Sequence, residues 1–137
     1  MTTKSSGFSL IELLVVVAIL GIISAIGVVS YSGYVSGAKR KSAENVMQQI
    51  SLGQTEYYSD MGIYYRNSSG TSCTPSATTS TQIETNLLGG SDSINDEMGY
   101  QLCIANHSSN YLINANETGG SCEIEMTALG VITRRNC

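Results

Sequence analysis

Residues 4–23, KSSGFSLIELLVVVAILGII, hold one acid, Glu12, in an otherwise apolar run. Downstream, residues 13–38 carry no formal charge, and 8–29 are mostly Val, Ile, Leu, Ala and Phe. About 20 consecutive apolar residues cross a hydrocarbon core as a helix, so the stretch is long enough to span a membrane. It is too long, and too β-branched at its start, for a removed signal-peptide core of about 7–15 residues. A short polar leader, MTTKSSG, comes before it, whereas a secretory signal is cut after its apolar part. In an isolated span Glu12 is a defect; in an assembled one it is a connector.

The 137 residues allow one domain plus an appendage, and the apolar residues concentrate in the first third. Lys4 lies before the span, with Lys39, Arg40 and Lys41 after it. Local Lys and Arg alone would place the C-terminal flank in the cytoplasm. Cys73, Cys103, Cys122 and Cys137 argue the other way: their spacings of 29, 18 and 14 residues contain no CxxC pair. That excludes a zinc knuckle or redox dithiol pattern and suits disulfides in an oxidising compartment. The cysteines decide the orientation, and the basic triplet is then placed to meet anionic headgroups on the far side.

Residues 8–60 read as one helix, about 80 Å long at 1.5 Å per residue. Its first part is apolar all round. In AENVMQQISLGQTEYYSD, Ala43, Val46, Met47, Ile50, Gly53 and Tyr57 recur at helical intervals, with Glu44, Gln48, Gln49 and Glu56 between them. Met61 and Gly62 supply a stop. Residues 67–82 read as a polar loop holding the only proline, Pro75, and QIETNLL (82–88) as a short helix. From Tyr100 the period becomes two: YQLCIAN, YLINANE, CEIEMTA and GVITRR are expected strands, with turns at 106–109, 118–120 and 129–130. Such a meander buries one face, and residues 43–57 of the helix are its cover. The fold class is α+β: a long N-terminal helix packed on a roughly four-stranded antiparallel sheet.

The junction Gly7-Phe8-Ser9-Leu10-Ile11-Glu12, followed by LLVVVAILGIISAIGVVSY, resembles the processing site and N-terminal helix of type IV pilins and pseudopilins. QTEYYSDMGIYY (54–65) is similar to the helix end of E-type minor pilins, and CEIEMTALGVITRRNC (122–137) to a final disulfide-closed hairpin. The resemblance implies the pilin fold and cleavage between Gly7 and Phe8 by a membrane peptidase, which N-methylates Phe8. It also implies Glu12 as the assembly residue. The expected parts are a leader 1–7, a membrane and fibre-core half 8–38, and a soluble head 39–137. The head comprises helix 39–60, an αβ loop 62–97 and the sheet with its disulfide hairpin 98–137. Where many pilins carry proline, this chain has Val29; their helix is often unwound between that proline and a glycine matching Gly21. Sequence permits three cysteine connectivities, of which Cys73–Cys103 and Cys122–Cys137 are expected.

His107, the only histidine, falls in an expected turn and is given no role. Asp92, Asp96, Glu97, Glu117, Glu123 and Glu125 lack EF-hand spacing and read as a solvated acidic surface, so no metal is expected. The N-x-S/T triplets at Asn67, Asn106 and Asn116 follow from composition. Beyond residue 41, Arg66, Arg134 and Arg135 face ten acids; they would make at most a small patch near the C-terminal hairpin, and nucleic acid is not expected as a partner. Neither a catalytic grouping nor a cofactor or nucleotide loop emerges, and no enzyme activity is expected.

The expected function is therefore structural: a major or minor subunit of a type IV pilus, assembled into a helical filament for surface motility, adhesion or DNA uptake. The alternative is a pseudopilin of a type II secretion system. Expected partners are other pilins in a homo- or hetero-oligomer, the prepilin peptidase and an inner-membrane assembly platform. The precursor would cross the inner membrane once, and the assembled form would be an extracellular fibre. Either way the open filament follows from a contact that does not close into a ring.

Overall fold

The computed structural model describes residues 6–137. Lys4 and most of the leader lie outside the described residues. The chain forms two compact units, Met1–Gly37 and Ala38–Cys137. Its elements in order are α1 (Leu10–Met61), α2 (Ala77–Leu87), β1 (Tyr100–His107), β2 (Asn110–Glu117), β3 (Glu123–Thr127) and β4 (Ile132–Arg135). Within the first unit α1 is apolar and exposed: Leu14, Val17, Ile22 and Val28 are all more than half exposed. It is the one helix among the described residues long and apolar enough to cross a membrane. No break interrupts it between Gly21 and Val29.

In the second unit α1 turns amphipathic and buries Ala43, Val46, Met47 and Ile50. The expected face is the observed one, with Gly53 and Tyr57 half-buried on it. Against this face lies a four-stranded antiparallel meander in the order β1-β2-β3-β4. Alternation sets its inner face: Leu102 and Ile104, then Tyr111, Ile113 and Ala115, then Ile124 and Met126, all buried in one core. The register is regular, with Ile104 opposite Ile113 and Ile113 opposite Met126.

β1 also buries Cys103 and Ala105, which point to the other face. The reason is the segment before α2. Asn67 and Ser68 donate their backbone N–H groups to the Ile104 carbonyl, Asn106 donates to the Gly70 carbonyl, and Cys73 is disulfide-bonded to Cys103. On the same strand edge, the Thr79 hydroxyl donates to the Leu102 carbonyl (2.7 Å), and Ser80 Oγ accepts from the Leu102 N–H (3.0 Å). An edge that would otherwise present free pairing groups is thus closed.

Three details differ from the sequence reading. First, α2 begins at Ala77, within the stretch read as loop and five residues before the expected helix start. Ser76 caps it: its Oγ accepts from the Thr79 N–H, and Thr79 Oγ1 accepts from the Ser76 N–H. Capping and bonding to β1 together outweigh the weak helix propensity of ATTST. Second, the first hairpin turns on Ser108 and Ser109 alone, both at positive φ, with His107 and Asn110 paired across the strand ends. Third, α1 buries two polar side chains that the sequence reading gave no role, Glu44 and Gln54. Gln54 Oε1 accepts from the Tyr65 N–H (2.8 Å) and its Nε2 donates to the Tyr65 carbonyl (2.7 Å), which ties the chain back after Gly62 ends α1. Glu44 accepts from Arg134 Nε on β4 (2.5 Å) and from Lys41 Nζ (3.1 Å).

These contacts also use the basic triplet. Lys41 pairs with Glu44, and the Lys39 stem lies against Gly99. The second disulfide, Cys122–Cys137, ties the chain terminus to the start of β3.

Two predictions follow from this packing. At Gly53 a Cβ would lie 2.5 Å from the Leu87 carbonyl oxygen, so α1 and α2 touch backbone to backbone. Gly53→Ala should lose about 1–3 kcal/mol in thermal unfolding despite the better helix propensity of alanine; an unchanged or raised Tm would remove the contact's significance. The hydrogen bond from Arg134 holds the Glu44 carboxyl below its ordinary value, against an opposing effect of burial. Its stabilisation is therefore complete above the unfolded carboxylate range and is lost as pH falls through the lowered folded value. Glu44→Gln should be less stable than the parent at neutral pH, and the gap should close on acidification to about pH 3. A gap independent of pH would show that shape, not charge, is the contribution.

Candidate functional site

The site foreseen from the sequence lies where the leader meets the apolar helix. Gly7 and Phe8 are exposed and precede the first helical residue, Leu10; Phe8 is 83% exposed. Ser9 is the flanking residue. Its backbone carbonyl accepts from the Leu13 N–H (3.2 Å), the first bond of the helical ladder. Its N–H donates to Glu12 Oε2 (2.8 Å), while the Glu12 N–H donates to Ser9 Oγ (3.3 Å). This reciprocal pair is a capping box: Ser at the N-cap and Glu three residues on satisfy two N–H groups that the helix leaves orphaned. A carboxylate here also lies at the favourable end of the helix dipole.

Glu12 is thus held by its own chain in a fixed place beside Phe8, through only one of its two oxygens. The other oxygen has no hydrogen-bond partner among the described residues. The sequence reading picked out Glu12 and missed Ser9, although S-x-x-E before an apolar run is the legible signature of a capping box.

The remaining candidates do not gather around this point. The four cysteines form the two disulfides already described, and no free thiol is left. Among the described residues, no three His, Cys, Asp or Glu side chains are grouped to hold a metal ion. His107 is exposed at the end of β1. The small arginine patch considered at the C-terminal hairpin does not form. Arg134 and Arg135 are successive residues of a strand and point to opposite faces. Arg134 is bound to Glu44, and Arg135 to Glu125 with Glu123 at 3.9 Å.

Comparison with known proteins supports the same location. The family model of the prokaryotic N-terminal methylation motif matches residues 2–28. No curated protein and no solved structure matches the chain. The motif implies processing by a prepilin peptidase and assembly with other pilins, and the apolar helix beside it points to membrane anchoring of the precursor. With this motif on a long N-terminal helix and a four-stranded antiparallel sheet after it, the chain is type IV pilin-like and its motif is of the prepilin-processed kind, consistent with the type IV pilin family.

Proposed function

We propose that the chain is a structural subunit, major or minor, of a type IV pilus. In this reading the peptidase hydrolyses the Gly7–Phe8 bond, which leaves a carboxylate on Gly7 and a free amine on Phe8. Methylation replaces one N–H of that amine and leaves it protonated and positive. The amine of one subunit then meets the Glu12 carboxylate of a neighbour, while the apolar halves of their helices pack together as the fibre core. The precursor waits in the inner membrane, and the assembled form is an extracellular fibre. Force for extrusion comes from an assembly platform and not from this chain.

The observation that carries the reading is the exposed apolar half of α1 with a single carboxylate fixed at its mouth by Ser9. Two opposite charges desolvated together attract strongly, while one left alone is heavily penalised, by about 3–5 kcal/mol when a partner is removed. A neighbour shifted along the axis would strand both Glu12 and the amine, so the pair selects one stagger. The exposed, non-helical Gly7 and Phe8 suit a protease, which needs an extended strand of substrate. Two disulfides in a head of about 100 residues favour the surface fibre over the periplasmic secretion piston, since the fibre faces the harsher medium.

Two outcomes test this. Glu12→Gln keeps a side chain that can complete the capping box but removes the charge. Cleavage should proceed normally while filament yield collapses; normal filaments from this variant would refute the ion pair. Mass spectrometry of sheared surface filaments should find this chain beginning at methylated Phe8. Recovery of the chain only from the membrane, with its leader intact, would refute the pilus assignment.

A further inference from the structure

Five of the eight tyrosines gather where α1 ends and the chain turns back over β1. Tyr58 stacks on Tyr64 with ring centroids 4.6 Å apart, Tyr64 meets Tyr111 edge-on at 5.0 Å, and Tyr57 meets Tyr65 edge-on at 5.6 Å. Tyr111 is buried and hydrogen-bonded to Ser51 Oγ (2.8 Å), so it belongs to the core. Tyr57, Tyr64 and Tyr65 are only half-buried, the last two packed against the core's edge, and they line a solvent-open groove of about 450 Å³ together with Arg66, Asn67 and Ser69.

Three properties distinguish this groove from an ordinary aromatic edge of the core. It contains no acid, although the chain carries eleven. Its one cation, Arg66, forms no salt bridge among the described residues, whereas Arg134 and Arg135 are both bound to glutamates. And its polar rim is rigid: Asn67 Oδ1 accepts from the Ile104 N–H (2.9 Å) and its Nδ2 donates to Gln82 Oε1 (2.9 Å). Tyrosine side chains and a guanidinium with no salt bridge among the described residues therefore line one open groove with a polar rim already in place. Burial pushes the Tyr65 phenol up from its ordinary value, so it remains a neutral donor at physiological pH.

The geometry points to a binding site for a hexuronate, the carboxylated sugar unit of an acidic polysaccharide, at the groove formed by Tyr57, Tyr64, Tyr65 and Arg66. A pyranose ring offers a flat C–H face to a tyrosine ring, whose face is electron-rich. Its hydroxyls meet the phenols and Ser69, and its single carboxylate takes both N–H bonds of the Arg66 fork. A phosphate polymer is disfavoured, because its binding needs several neutralising cations and the groove has one on a chain of net charge −4. A neutral sugar leaves the guanidinium unsatisfied. The site is independent of how the chain assembles, and its test does not use filaments.

The experiment is calorimetric titration of the full chain in detergent micelles with digalacturonic acid, its neutral counterpart galactobiose, and thymidine 5′-monophosphate. Digalacturonic acid should bind with Kd of about 1 mM or tighter, and galactobiose about tenfold more weakly. Arg66→Gln should cost the acid about tenfold and leave the neutral sugar unchanged, with thermal unfolding as the check on folding. Tyr64→Leu, checked in the same way, should weaken both sugars. No saturable uronate binding to about 20 mM, equal affinity for the neutral sugar, tighter binding of the nucleotide, or affinity that survives Arg66→Gln would each overturn the proposal.

Discussion

One helix must satisfy two apolar environments, and the chain supplies only one of them. Ala43, Met47 and Ile50 of α1 are fully buried under the sheet, while Leu10, Ile11 and Val29 of the same helix are more than 70% exposed. At about 1.5–3 kcal/mol for burying each large aliphatic side chain, an apolar surface of this size does not stay in water. A contiguous exposed patch so far beyond a few hundred Å² marks a membrane or a protein interface. The head, by contrast, is complete in itself: its inner sheet face, Ile83 of α2 and the buried stripe of α1 form one core.

Polar groups divide the same way. In the head, the buried ones are answered locally. Gln54 matches both backbone groups of Tyr65, Ser80 and Thr79 match those of Leu102, and Glu44 is matched by Arg134 and Lys41. Buried side chains of this kind are costly when left unpaired, so each also specifies which segments come together. The Glu12 carboxylate is answered only in part, by the Ser9 N–H at its own helix start. An acid with one oxygen occupied, next to a peptide bond whose hydrolysis would create a cation, is the complement of the exposed apolar surface. In the proposed assembly the surface would supply attraction without direction, and the charge would supply direction.

Much of this was legible in the residues. The spacing of Ala43, Val46, Met47 and Ile50 gave the covered face of α1, and strict alternation from Tyr100 onward gave four strands in meander order, because both signals come from burial on one face. The misses have a common cause. The roles of Glu44 and Gln54 went unread because their partners, Arg134 and the Tyr65 backbone, lie 90 and 11 residues away and no local pattern announces them. The start of α2 was hidden behind threonines of low helix propensity, although Ser76 three residues before Thr79 was a readable cap. The tyrosine groove was missed because Tyr57 and Tyr65 meet only after Gly62 reverses the chain.

The disulfides lie where the hydrophobic core does least. Residues 67–75 cross the outer side of β1 with few apolar side chains, and β4 has only Ile132 packed against the core. Cross-linking Cys73 to Cys103 and Cys122 to Cys137 closes loops of 30 and 15 residues, each a constraint of about 3 kcal/mol or more on the unfolded chain. These segments also set two polar features of the head. The first carries the polar rim beside Arg66; the second holds β4, and with it Arg134, against Glu44. A core of modest size can therefore leave these segments poorly packed, because covalent links supply there the order that burial supplies under α1.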